Sequence, residues 1–140
     1  MPGLAEIVQV QNEVWNENHD WLERALAREI RSSPPDVQVL IARSDGKPVA
    51  SSWMRVHPGT HFASAWGAAT LAAYRGRSIY RTLLARHRDA AWGHGVRYIY
   101  VDANGNSRPA LEKAGFRRLT GARAFVWSCE SAASSESDPV

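Results

Sequence analysis

Arg75, Gly76, Arg77, Ser78 and Arg81 stand together in the run Tyr74-Arg75-Gly76-Arg77-Ser78-Ile79-Tyr80-Arg81, between an apolar stretch and a helical pattern. A helix that begins at a glycine-bearing turn presents N–H groups without acceptors and the positive end of its dipole. That combination suits a phosphate or pyrophosphate, and arginines at the rim add charge. The alternative is a solvated basic loop ahead of an ordinary helix, since glycine turns are common. His57 and His61 flank Pro58-Gly59, a dipeptide that reverses the chain. The reversal is expected to bring the two imidazoles together, where titration near neutral pH would let them carry protons. Exposed turn histidines are the other reading. His19, His87 and His94 have no acidic or cysteine partner at a ligand spacing, so no metal is expected.

These residues need elements to hold them. Leu4, Ile7, Val8, Gln11, Val14 and Trp15 recur at helical spacing and predict an amphipathic helix. A second helix carries the stripe Trp21, Leu22, Ala25, Leu26 and Ile30, with Asn18 or Asp20 as its cap and Ser32-Ser33-Pro34-Pro35 as its stop. Residues 37–42 and 49–57 read as an antiparallel hairpin around Asp45-Gly46. Residues 61–70 (HFASAWGAAT) form the next strand, in which Gly67 and the alanines permit a close approach of backbone or ligand. Trp53 and Trp66, on adjacent strands, either line an apolar pocket or fill the core. A helix over 78–92, a strand over 96–101, a short helix over 108–114 and two last strands at 116–119 and 124–127 complete the reading.

The chain has 140 residues, 44% of them hydrophobic and 22% charged, which fits one globular α/β domain. That domain is expected over 1–128, with a disordered, Ser-rich acidic tail at 129–140. A net charge of +3 is too mild for a dedicated nucleic-acid binder and suits a small anionic ligand. Cys129 alone makes neither an intramolecular disulfide nor a cysteine-clustered zinc site. No apolar run spans a bilayer and no secretory signal opens the sequence, so a cytoplasmic protein without membrane association is expected.

The run 74–84 resembles the acyl-CoA loop of the GNAT family of N-acetyltransferases, whose pattern is Gln/Arg-x-x-Gly-x-Gly/Ala. Arg75 takes its first position, and Ser78 and Tyr80 stand where the family prefers Gly and Gly or Ala. Further on, 104–116 (NGNSRPALEKAGF) resembles the family's second motif, an Asn followed by a helix ending in Glu-Lys-x-Gly-Phe. The resemblance covers about residues 18–128, with both motifs in the family's order.

It implies a mixed, mostly antiparallel sheet flanked by helices and split beside the loop, the strands 61–70 and 96–101 splaying to admit the pantetheine arm. Backbone at Ala68, Ala69 and Thr70 would meet that arm. Arg75 and the N–H groups of Gly76, Arg77, Ser78, Ile79, Tyr80 and Arg81 would hold the pyrophosphate. Asn104 would face the arm, or else serve as a turn or cap residue. The activity implied is transfer of an acetyl group from acetyl-CoA to a primary amine.

Departures from the pattern are as informative. Many family members place an acidic Tyr seven residues after the motif Asn, where this chain has Leu111. The strand before the loop offers only His61 and Ser64 instead of a carboxylate. Candidates for proton transfer are therefore His57, His61, Asp102 at the end of its strand, and the Tyr80 phenol; Asp102 as a turn cap and Tyr80 as a packing residue are the alternatives. The family's first strand is missing, as in a C-terminal half or a domain whose open sheet edge a homodimer or tandem partner covers. A non-catalytic acyl-CoA-binding or partner-binding module is the rival reading.

Overall fold

The computed structural model describes residues 3–33 and 35–127; the expected tail at 129–140 lies outside them. Helix α1 (Leu4–Trp15) buries Leu4, Ile7, Val8, Val10 and Gln11, and α2 (Trp21–Ser32) buries Leu22 and Leu26. Asp20 occupies the N-cap of α2 without a side-chain capping bond. Its carboxylate instead accepts from Asn12 Nδ2 at 3.3 Å and Asn18 Nδ2 at 3.0 Å, so neither expected residue caps in the usual way. The pair ties the α1–α2 turn together.

Four strands follow: β1 (Val37–Ser44), β2 (Lys47–Val56), β3 (Phe62–Thr70) and β4 (Tyr98–Tyr100), in the order β1-β2-β3-β4. The first two junctions are antiparallel and β3–β4 is parallel. A parallel pair needs a crossover, and α3 (Ile79–Gly93) supplies it. A single 3-10 turn (Ala72–Tyr74) precedes α3, and α4 (Arg108–Lys113) follows β4.

Alternation along β2 separates two hydrophobic layers. Trp53 points to one face, where it packs with Leu4, Ile7, Val8, Leu22 and Leu26 of α1 and α2. Met54 points to the other and packs with Ala63, Ala91 and Val96 beneath α3. Period-two alternation on one strand thus fixes a helix–sheet–helix sandwich.

The expected strands at 116–119 and 124–127 do not form. Leu119, Phe125, Val126 and Trp127 are all at least 84% exposed. A strand needs a ladder and a face to bury, and the neighbouring β4 offers three residues. A hairpin left to itself is marginal in water, and Arg117-Arg118 puts two charges where one face would have to be apolar. Among the described residues, no helix is long and apolar enough to cross a membrane.

Candidate active site

The β3–β4 ladder pairs Phe62, Ser64 and the intervening Ala63 with β4 and then stops, although β3 runs on to Thr70. The strand expected over 96–101 is shorter, and β4 ends at Tyr100, the partner of Ser64; past that pair the β3 edge has no partner strand, and a cleft of ≈ 630 Å³ opens between it and the chain that follows β4. Ala65, Trp66, Gly67, Ala68 and Thr70 line one wall, and Val101, Asp102 and Asn104 the other.

A bulge shapes the β3 wall. Between the pairs Ser51–Ala69 and Trp53–Trp66, the single residue Ser52 opposes both Gly67 and Ala68. Gly67 has φ +57°, and a Cβ there would lie 1.8 Å from the Trp53 ring. Only glycine fits, so the close approach read from the sequence is that of Trp53. Trp53 itself is core, whereas Trp66 is 38% exposed and faces the cleft.

At the mouth, Gly76 and Ser78 both take positive φ, at 76° and 61°. Among the described residues, the backbone N–H groups of 76–81 have no acceptor; the first α3 donor to find one is that of Thr82, bonded to the Ser78 carbonyl. Arg75 Nε donates to the Thr70 carbonyl at 3.1 Å, which holds its guanidinium beside the cleft. Arg77 stacks over Tyr74 at 5.0 Å. Tyr80 lines the cleft, and burial pushes its phenol up to about 12, so it enters as a neutral hydrogen-bond donor. Ala69 is buried; Arg77, Ser78, Ile79 and Arg81 have no side chain on the cleft wall.

Asn104 does both things expected of it. It lines the cleft, and its Oδ1 accepts from the N–H groups of Asn106 and Ser107 at 3.0 and 2.9 Å, shaping the turn into α4. Asp102 lines the cleft as its one carboxylate among the described residues, and the turn is capped by Asn104 instead.

His57 and His61 are not brought together. His57 Nε2 lies 3.1 Å from Ser64 Oγ and 3.2 Å from Tyr100 Oη, with its ring stacked on Tyr100. His61 Nδ1 turns to the Gly95 carbonyl at 3.2 Å. The Pro58-Gly59 turn reverses the backbone but leaves the side chains on different neighbours. Neither imidazole lines the cleft, yet Trp66, which does, donates from Nε1 to Ser64 Oγ at 2.7 Å. His57 is thereby one hydroxyl removed from the cleft on the α1 and α2 face.

On the opposite face lies a set that sequence reasoning missed. Ser52 Oγ is 2.8 Å from His87 Nε2, and His87 Nδ1 is 2.7 Å from Gln38 Oε1. Ser52 and His87 both line the cleft. Burial lowers the His87 pKa to about 4, so its ring is neutral at physiological pH. The signal was a histidine on the apolar stripe of α3 and a glutamine inside an apolar strand. Gln11 was likewise hidden in a helical stripe. Its Nε2 donates to the Gly67 carbonyl and Ser51 Oγ, and its Oε1 accepts from Trp15 Nε1 at the cleft rim.

A mixed sheet whose third strand runs on past its short parallel neighbour beside a cleft, with a glycine turn and a helix start at the mouth, has the open-sheet α/β architecture of acyltransferase domains. Within that class, the pattern of the Acetyltransferase (GNAT) family matches residues 3–116, and the chain belongs to that family. No curated protein matches the chain in sequence. Its fold is similar to that of glucosamine-6-phosphate N-acetyltransferase from Arabidopsis thaliana (TM-score 0.73, 12% identity, 89% of this chain and 94% of that one). It is similar also to AAC(6')-Iy in complex with the bisubstrate analogue CoA-S-monomethyl-acetylneamine (TM-score 0.73, 18% identity, covering 90% and 92%). A predicted acetyltransferase from Clostridium acetobutylicum, solved with acetyl-CoA, gives a TM-score of 0.73 at 16% identity, covering 88% and 89%. Likeness at these identities is one of fold.

Proposed function

We propose that this chain transfers an acetyl group from acetyl-CoA to a primary amine. The observation that carries the reading is the β3 edge left without a partner past Ser64, where β4 ends, with the acceptor-less N–H groups of residues 76–81 at the mouth of the same cleft. An extended pantetheine arm fits a strand edge left without a partner, and a pyrophosphate fits a positive helix start with Arg75 at its rim. The solved relatives that carry acetyl-CoA or a CoA bisubstrate analogue support the donor.

The amine would approach from the α1 and α2 face, where Trp15 and Trp66 line the cleft. Its proton has two routes, Asp102 in the cleft wall and His57 through Ser64. General acid–base help is worth about 10²–10⁴-fold, so positioning carries the larger share. His61 has no route to the cleft. His57→Ala should therefore alter the pH profile of kcat/KM and His61→Ala should not.

Calorimetric titration tests the donor. CoA should bind more tightly than pantetheine, and Arg75→Glu with Arg77→Glu should weaken binding and flatten its salt dependence. Equal affinity for CoA and pantetheine would overturn the site. Thiol release across a panel of primary amines then tests the transfer. Leu111, buried on α4 where an acid would stand, favours a second reading as an acyl-CoA-binding module without turnover. Tight binding with no release on any amine would establish that one.

A further inference from the structure

Trp15 and Trp66 border the cleft from α1 and β3, and both are partly exposed, at 45% and 38%. Each indole N–H is already spent inside the protein. Trp15 Nε1 donates to Gln11 Oε1 at 3.0 Å, and Trp66 Nε1 donates to Ser64 Oγ at 2.7 Å. Gln11 Nε2 donates in turn to the carbonyl of Gly67, the residue next to Trp66, so one amide holds Trp15 to the stretch of β3 that carries the second ring. An indole whose polar end is tied is fixed in orientation, and what it still offers a ligand is apolar surface.

We propose that the amine this cleft accepts is an arylalkyl monoamine, its aromatic ring laid against Trp15 and Trp66 and its nitrogen toward Asp102. The proposal rests on the reading of the cleft as an acetyl-transfer site and names the acceptor class for it. Offset or edge-on contact between aromatic rings contributes more than the area it covers. Asp102 is the cleft's one carboxylate among the described residues, which matches a single ammonium.

Two other kinds of amine fit less well. A polyamine would seek several anionic or aromatic partners, since an indole face attracts cations. On Trp66 that place is taken by Arg55, whose guanidinium lies 5.6 Å from the ring centroid and is held by Glu29 at 2.6 and 2.9 Å. Arg75 on the wall offsets Asp102, so the described residues of the cleft carry no surplus of negative charge for a polycation to meet. An amino sugar would need free hydrogen-bonding side chains for its hydroxyls. Ser52 is bonded to His87, and Asn104 and Ser107 are bonded to each other across the turn into α4. Hydroxyls set against indole and alanine would lose water without gaining a partner.

The experiment measures thiol release from acetyl-CoA with 2-phenylethylamine, spermidine and glucosamine as acceptors. The kcat/KM for 2-phenylethylamine should exceed the other two by roughly tenfold or more. Trp66→Leu should lower it by a similar factor, mostly through KM. Trp66→Phe loses the same bond to Ser64 but keeps an aromatic face, so it should restore most of the activity; equal impairment in both variants would assign Trp66 to holding Ser64 and overturn its contact with the acceptor. Trp15→Leu repeats the test on the more exposed ring, and circular dichroism with CoA titration checks that each variant keeps its fold and donor site. Saturation-transfer NMR on the complex with CoA supplies a readout without turnover. The ring protons of 2-phenylethylamine should take up more saturation than its methylene protons, and Trp66→Leu should abolish the difference. Spermidine or glucosamine acetylated as well as or better than 2-phenylethylamine would overturn the aryl acceptor and leave the transfer reading in place. If CoA binds and no amine is acetylated, the transfer reading fails, and the NMR comparison decides the aryl site by itself: ring saturation lost in Trp66→Leu supports it, and its absence in the wild type overturns it.

Discussion

Gln11 Nε2 lies 2.6 Å from the Gly67 carbonyl oxygen, joining α1 to the bulge in β3 across 56 positions of sequence. The bond explains how a strand edge can be held open. Gly67 turns its bare Cα to the Trp53 ring on one side, and Gln11 takes its carbonyl on the other. The same amide accepts from Trp15 at the cleft rim. Core, bulge and rim are therefore one connected unit, and a change at any of its members should be felt in the cleft.

Gly67→Ala is the severest test of that unit. A Cβ placed 1.8 Å from the Trp53 ring, on a residue at φ +57°, must displace either the ring or the strand. Overpacking and left-handed strain together should cost about 3 kcal/mol or more. Urea unfolding should show it, and a variant as stable as the parent would mean that the bulge is loosely held.

Gln11→Leu keeps the volume and removes the bonds. The Gly67 carbonyl and Ser51 Oγ lose a partner inside the protein, at a cost of about 1–3 kcal/mol. Trp15 also loses its acceptor, so KM for the amine should rise more than kcat falls. Measured stability and steady-state kinetics on the same preparation would separate the two effects.

Sequence patterns revealed what repeats and concealed what meets only once. The α1 and α2 stripes and the hairpin at Asp45-Gly46 repeat at helical or strand periods, so each was visible in the residues alone. Arg75, Gly76 and Asn104 were visible as motif positions. Gln38, Ser52 and His87 carry no local pattern, because their contact spans three elements and depends on strand register. The final strands failed for the opposite reason: residues 116–119 and 124–127 have strand-like composition, but composition does not supply a partner. His57 and His61 show a turn correctly placed and side chains misjudged, since a reversal fixes backbone direction and not rotamers.

Ser78 is the left-handed residue at the start of α3, with φ +61° where the family favours glycine. A non-glycine residue pays about 1–2 kcal/mol for that conformation, partly offset by the greater chain entropy of glycine when unfolded. Ser78→Gly should therefore raise stability by roughly 0.5–1 kcal/mol and leave CoA affinity equal or improved. A lower melting temperature would show that the Ser78 side chain contributes something the backbone does not reveal.

His87 gives stability a pH dependence whose sign follows from its burial. Its pKa falls to about 4 in the folded protein because the charged ring cannot be solvated there. In the unfolded chain it titrates at about 6.5, so between those values the unfolded state takes up a proton that the native state refuses. The contribution is intact above about pH 6.5, shrinks as pH falls, and is lost by about pH 4, a total near 3 kcal/mol. Gln38 and Ser52, the two groups bonded to the ring, do not titrate in this range, so the slope belongs to His87 itself. Urea midpoints from pH 7.5 down to 4.5, compared between the parent and His87→Leu, isolate it from the carboxylates. The parent should lose stability more steeply through that window. Equal slopes in both proteins would mean that His87 takes up its proton in the folded state as readily as in the unfolded chain, so that burial does not lower its pKa.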